Sequence, residues 1–228
     1  MSAPVSVVVP CLRAAAGIGP CLRALAEGAA EGVVRELILS DAEGAEDGLA
    51  EIAEAVGARR LVGPAGRGGQ LRRGAEAARG DWLLFVHADT VLGAGWPDAV
   101  RRHIAAAPDR AGWFRLRFDD EGGWPRWTAG WANWRSAVLG LPYGDQGLLI
   151  PRKLYRDVGG HPDQPLMEDV ALARRLRGRL RGVGAEAVTS AARYRAEGWA
   201  RRGARNLSTL ARWRLGVSPA RLARRYGG

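Results

Sequence analysis

The chain has 228 residues, with 34 Lys+Arg against 24 Asp+Glu, a formal net charge of +10 and a pI near 10.9. Apolar residues make up 47% and charged residues 25%, which supports one folded domain with a real core and excludes global disorder. The positive balance invites a nucleic-acid or membrane reading, but Lys153 is the only lysine. An Arg excess beside abundant Ala and Gly reflects compositional bias as well as selection for charge. Cys11 and Cys21 fit no CxxC or Cys/His metal spacing, so neither a disulfide framework nor a structural zinc site is expected. The default setting is then reducing and cytoplasmic. The apolar run Val5 to Val9 is too short for a signal-peptide core or a membrane span, which needs about eighteen apolar residues. Any membrane contact is therefore expected from the surface.

Taken in chain order, the β-branched run from Val5 to Pro10 predicts a buried strand. A turn and a helix with Pro20 in its first turn and apolar Ile18, Leu22, Leu25 and Ala29 follow it. Leu37 to Leu39 predicts a second strand and Gly48 to Val56 a second helix, joined by the acidic loop Ser40 to Asp47. A short strand at Leu61-Val62, a glycine turn, a helix from about Gln70 to Ala78 and a strongly apolar strand from Trp82 to Val86 complete the first half. Strands alternating with helices at this spacing indicate a parallel sheet covered on both faces, with ligands at the carboxyl ends of the strands. Beyond Trp96, the segment Trp113 to Phe118 alternates like an edge or antiparallel strand. Trp124, Trp127, Trp131 and Trp134 recur at helical spacing, which reads first as core packing and second, with the C-terminal helices, as a membrane-surface contact. The last 30 or so residues are helical in tendency, rich in Arg, and carry Trp199, Leu207, Leu210, Trp213 and Leu222 as apolar anchors. One domain is expected over 1–228. Its parts are a ligand-binding half (1–96), an acceptor and catalytic half (97–190) and C-terminal helices (191–228).

The chemistry-bearing motifs fall at the predicted strand ends. Gly66-Arg67-Gly68-Gly69-Gln70-Leu71 is neither a Walker loop nor a dinucleotide fingerprint. It reads either as a tight turn with a solvated Arg or as a glycine turn whose helix N-terminus and Arg67 face an anion. In His87-Ala88-Asp89-Thr90, Asp89 is either a helix cap or a hard ligand bridging a divalent cation to a diphosphate. His87 points to the same side and reads more simply as a structural residue. Glu168-Asp169 precedes Val170, Leu172 and Leu176. That pair is either a dipole-favoured first turn or the location of a general base. Tyr143-Gly144-Asp145-Gln146-Gly147 reads as a polar turn.

In combination and order, these pieces resemble the family 2 glycosyltransferases of the GT-A fold. The likeness is greatest to the small bacterial group of radical-SAM/selenodomain-associated transferases. It rests on Val5 to Pro10, the Asp41 loop, Gly66 to Gln70, Leu84 to Thr90, Leu141 to Gly147, Val158 to Pro162, Pro165 to Val170 and the terminal Leu215 to Pro219. The resemblance implies an α/β, mostly parallel Rossmann-like sheet and transfer of a hexosyl-type sugar from a UDP- or GDP-sugar to an acceptor hydroxyl. It implies that Pro10, Asp41, Arg67, Gln70, His87, Ala88 and Asp89 line the donor pocket, with Asp89 holding Mn²⁺ or Mg²⁺. Tyr143, Gly144, Asp145 and Gln146 fall on the acceptor side, and Asp169, next to Glu168, takes the acceptor proton in a single inverting displacement. The sequence departs from the family in two places: His87 replaces the first Asp of the Asp-X-Asp motif, and the Asp41 loop is longer, with Asp47 as a second acidic match. The Arg surplus, heaviest from Arg174 to Arg181 and from Arg193 to Arg225, is expected outside the donor pocket. The alternative is a non-catalytic basic module for anionic lipid or nucleic acid, carried by the C-terminal Arg and Trp. Of these, nucleic acid is the less favoured, because helical Arg/Trp faces usually turn their apolar part inward. A lipid-linked acceptor would place the enzyme at the inner face of a membrane.

Overall fold

A computed structural model describes residues 3–44 and 47–226, the side chains of 225 and 226 excepted. Ala45 and Glu46 of the acidic loop lie outside the described residues. Strand β1 (Val5–Cys11) is central, flanked by β2 (Val34–Ala42) and β4 (Trp82–Phe85), both parallel to it, and β3 (Arg59–Gly63) adds to the far side of β2. A strand covered on both faces has no polar side, which is why Val5 to Val9 reads as an apolar run broken only by Ser6, whose buried hydroxyl is bonded to Glu36 and Gly80. Its alternation still sorts the core. Val5, Val7 and Val9 pack with α1 (Gly19–Ala30), α2 (Leu49–Ala55) and α4 (Trp96–Ala106), through Leu25, Leu49 and Trp96. Val8 packs on the other face with α3 (Arg67–Ala77), α6 (Arg152–Asp157) and α7 (Glu168–Arg175), through Leu71, Leu154 and Leu172.

The second half extends the sheet to eight strands in the order β3-β2-β1-β4-β7-β6-β8-β5. Here β5 is Thr90–Leu92, β6 is Ala111–Phe118, β7 is Leu148–Pro151 and β8 is Leu180–Thr189. The chain carries helices α5 (Gly123–Leu139), α8 (Ala192–Glu197), α9 (Trp199–Arg214) and α10 (Pro219–Tyr226) as well. This is the mostly parallel, helix-flanked α/β sheet of the GT-A fold. The alternating segment at Trp113 is not an edge. β6 lies inside the sheet, antiparallel to β7 and parallel to β8, and its register shifts between Trp113 and Arg115. Glycines at 182 and 184 interrupt the apolar pattern of β8, which hides that strand from periodicity.

Helix α5 overturns the expectation of a tryptophan core. Its inward face is Ala129, Ala132, Asn133, Arg135 and Ser136, while Trp124, Trp127, Trp131 and Trp134 stay exposed. The polar inward face is occupied by specific bonds. Asn133 donates to the Leu116 carbonyl (3.1 Å) and accepts from its N–H (2.8 Å), pairing with β6 like an added strand residue. Ser136 Oγ donates to Gln146 (2.6 Å) and Arg135 Nε to the Leu141 carbonyl (2.9 Å). Of the C-terminal anchors, Leu210, Trp213 and Leu222 pack against Leu141, Met167 and Val170. Leu207 instead stands half exposed. Among the described residues no helix is long and apolar enough to cross a membrane.

Candidate active site

Two cavities open where β1, β4 and the loops around β7 and β8 end. The first, about 440 Å³, is lined by Pro10 and Cys11 from the end of β1, Gly66, Arg67 and Gln70 from the start of α3, and Ala88 and Asp89 after β4. The second, about 590 Å³, is walled by Tyr143, Gly144, Asp145, Asp169 and the C-terminal helices. Arg67, His87, Asp89, Pro165 and Arg193 line both, so the two spaces meet at one seam.

In the first cavity, α3 aims its N-terminus at the space, and backbone N–H groups there suit an anion. Gly68 permits the close approach: a Cβ would lie 2.1 Å from the Pro162 carbonyl oxygen. Gln70, expected to approach a ligand, lines the cavity with its amide already engaged. It donates to the carbonyls of Cys11 and Ser40, both at 2.7 Å, tying β1 to β2 from a buried position. Asp41 lies behind the cavity wall, fully buried, with Oδ2 taken by Arg60 at 2.6 and 2.9 Å and Oδ1 without a partner. Asp47 accepts from the backbone of Ala15 and Leu49, each at 3.2 Å, and so fixes the loop after β1 against the start of α2.

At the seam, Asp89 is exposed, and no hydrogen bond or ion pair among the described residues occupies its carboxylate. Beside it His87 is held neutral: burial, then the guanidiniums of Arg67 and Arg193, push its pKa well below the usual imidazole value. Its ring lies against Gly144, where a Cβ would come within 2.5 Å of Nε2, so a side chain there would displace the imidazole. Arg193 corrects the expectation that the C-terminal arginines lie away from the ligand pocket. It follows the end of β8, where the strand-end rule could have flagged it.

The second cavity separates the acidic pair. Met167, at φ 65°, turns the chain into α7. Glu168 is 1% exposed, faces inward with Arg67 3.5 Å away, and is pushed above the ordinary carboxylate range by burial and then by Asp169. Asp169 faces the cavity. Its Oδ2 accepts from Gly144 N–H (2.8 Å) and its Oδ1 from Val170 N–H (2.7 Å), which fixes its orientation and leaves a lone pair free on each oxygen. Asp145 also lines this cavity, with Oδ1 unpartnered. Its pKa is pushed up to about 6, first by burial and then by the charges of Asp169 and Asp89, against the opposing pull of Arg135. Tyr143 lies under the Arg135 guanidinium, 3.4 Å from the ring centroid, and burial raises its phenol to about 12. Gln146, expected on the acceptor side, is fully buried. It accepts from Ser136 and donates to the Phe114 carbonyl and Asn133, so it braces the turn from behind.

The residues suit a metal that arrives with a phosphate ligand. Among the described residues no group of three or more His, Cys, Asp or Glu side chains could hold an ion. In the first cavity the carboxylate that lines the space is Asp89, and Mg²⁺-type sites often combine one or two carboxylates with substrate phosphates and water.

The sequence profile of glycosyl transferase family 2 matches residues 6–156, two thirds of the chain. The chain belongs to glycosyltransferase family 2. Among curated proteins none matches it. Among solved structures, Staphylococcus aureus TarS 1–349 in complex with UDP-GlcNAc superposes with a TM-score of 0.65 at 15% identity, over 83% of this chain and 58% of that one. The same protein with UDP gives the same score, identity and share of this chain, over 60% of its own. A mycobacterial protein superposes at 0.55 with 23% identity, covering 82% and 65%. This family 2 chain thus spans less than two thirds of each of these structures, and at these identities the likeness is one of fold.

Proposed function

We propose that the chain is an inverting glycosyltransferase that moves a hexosyl-type sugar from a nucleoside diphosphate, UDP in the first instance, to an acceptor hydroxyl. The observation that carries this reading is the pair of adjoining cavities that meet at Asp89, with Asp169 facing the second and held in place by two backbone N–H groups. Inversion needs the nucleophile and the leaving group on opposite sides of the anomeric carbon, and two spaces sharing one wall supply that arrangement. The UDP complexes of the TarS neighbour and the family membership support the donor class.

In this reading the donor diphosphate lies at the α3 N-terminus between Arg67 and Arg193, and a base N–H reaches Asp41 Oδ1, the unpartnered acceptor beside Cys11, once the wall over that buried carboxylate opens. Asp89 would hold Mn²⁺ or Mg²⁺, which when bound supplies charge neutralisation to the leaving diphosphate. Asp169 receives the proton of the acceptor hydroxyl as its oxygen bonds to the anomeric carbon and the bond to the β-phosphate oxygen breaks. The Gly144 and Val170 N–H groups keep that carboxylate aimed. Glu168 acts as a positioning residue, setting Arg67 from beneath.

The test is a comparison of Asp169→Asn with the parent chain, measuring UDP affinity and UDP release from UDP-sugars with acceptor panels. The substituted chain is expected to keep UDP binding and lose transfer. Full transfer by Asp169→Asn would remove Asp169 as the base.

A further inference from the structure

The exposed face of α5 has no partner. Trp124 is 54% exposed, Trp127 63%, Trp131 41% and Trp134 48%, and Val138 continues the stripe at 61%. Their spacing of three and four residues puts them on one side of the helix. The helix cannot roll to hide them, because Asn133, Arg135 and Ser136 are bonded to β6, the Leu141 carbonyl and Gln146. A contiguous, fixed apolar face of this kind marks an interaction surface.

Charge selects the partner. Helix α5 has no acidic residue, and none occurs from Gly198 to the C-terminus, where eight arginines stand. Helix α9 packs on α5, and α10 on α9. Arg201, Arg212, Arg214, Arg221 and Arg224 are exposed on α9 and α10, and Leu207 and Leu215 of the α9 region are 50% and 84% exposed. Tryptophan settles at the headgroup level of bilayers, and arginine is drawn to anionic headgroups. A second copy docked through this face would oppose two arginine arrays, and of the carboxylates that border α5, Asp119 and Asp120 are already paired with Arg195, which leaves Glu121 against them. Nucleic acid needs free ring faces for base stacking, whereas Trp131 and Trp134 stack on each other at 5.1 Å.

We propose that the α5 tryptophan stripe and the arginines of α9 and α10 dock the protein peripherally on an anionic phospholipid bilayer. The rings enter the headgroup region and the guanidiniums contact lipid phosphates. Helix α9 turns Arg202 and Thr209 to the second cavity and Leu207 outward, so the wall of that cavity is also part of the lipid-facing surface. An acceptor carried in the bilayer would then lie near Asp169. The docking itself does not depend on the chemistry at Asp89 and Asp169.

The experiment is co-sedimentation of the full chain with phosphatidylcholine vesicles, with and without phosphatidylglycerol, and tryptophan emission read on the same samples. Binding to the anionic vesicles with a blue-shifted emission is expected, at least roughly tenfold above neutral vesicles, because each basic residue near the surface adds to the attraction. Trp127→Ser with Trp131→Ser should lower the bound fraction roughly tenfold while far-UV circular dichroism and UDP binding stay as in the parent. Brominated acyl chains in the vesicles should quench the parent protein's emission, a readout that needs no variant. The proposal is overturned by absence of binding to anionic vesicles, by unquenched emission, or by binding that the double substitution leaves intact. It is equally overturned by a lipid-free dimer, or by nucleic-acid binding at physiological salt, that the double substitution abolishes. Loss of UDP binding in the parent would count against the transferase reading and leave the vesicle result standing.

Discussion

The two halves of the sheet treat their apolar residues in opposite ways. In β1 and β4 every large apolar side chain goes inward, and the carboxylates Asp41 and Asp89 stand where strands end. Around α5 the small and polar residues go inward and four tryptophans go outward. In the proposed reading the first half builds a donor pocket by the general rule for open α/β sheets. The second would build its acceptor side on a buried hydrogen-bond network, with Gln146 at its centre, and keeps its apolar helix face uncovered.

The largest effect is expected at the seam between the halves. Asp169→Asn should lower transfer by roughly 10²–10⁴ with little change in donor affinity, since a general base contributes about that much. Next comes the network that holds α5 inside out. Asn133→Ala leaves the Leu116 N–H and carbonyl without partners and should cost about 2 kcal/mol, roughly 6 °C in melting temperature for a domain of this size. An unchanged melting temperature would mean that packing, not hydrogen bonding, fixes the helix. The smallest effect is a pH dependence. Burial raises Asp145 from 3.8 to about 6 in the folded chain, so its contribution to stability is complete below pH 3.8 and is lost as the pH rises to about 6. Melting temperatures of Asp145→Asn should therefore gain on those of the parent across that interval and run parallel to them above it. A constant difference from acid to neutral pH would show that Asp145 ionises freely.

Much of the first half was legible because parallel strands buried on both faces write themselves as apolar runs, and glycine turns mark where strand gives way to helix. Asp89 and Asp169 were found as residues on the same grounds, a carboxylate after a buried strand and one in a helix's first turn. The separation of Glu168 from Asp169 was not legible, because adjacent residues at a helix start can face either way until the packing of α7 decides. What Gln70 and Gln146 bond to was hidden for a shared reason. A glutamine beside a glycine turn looks available to a ligand, and only the tertiary structure shows its amide committed to backbone carbonyls or to Ser136. The tryptophan stripe misled through periodicity itself, which reports that one helix face is apolar and not whether that face is covered.

The most direct test of the nucleotide-sugar account is calorimetric titration of UDP into the parent chain and into Asp89→Ala, each with and without Mn²⁺. The account predicts Mn²⁺-enhanced UDP binding by the parent and, in Asp89→Ala, an affinity roughly tenfold lower that no longer responds to the metal. UDP binding that is absent from the parent at millimolar concentration, or equally metal-dependent in both chains, would contradict it.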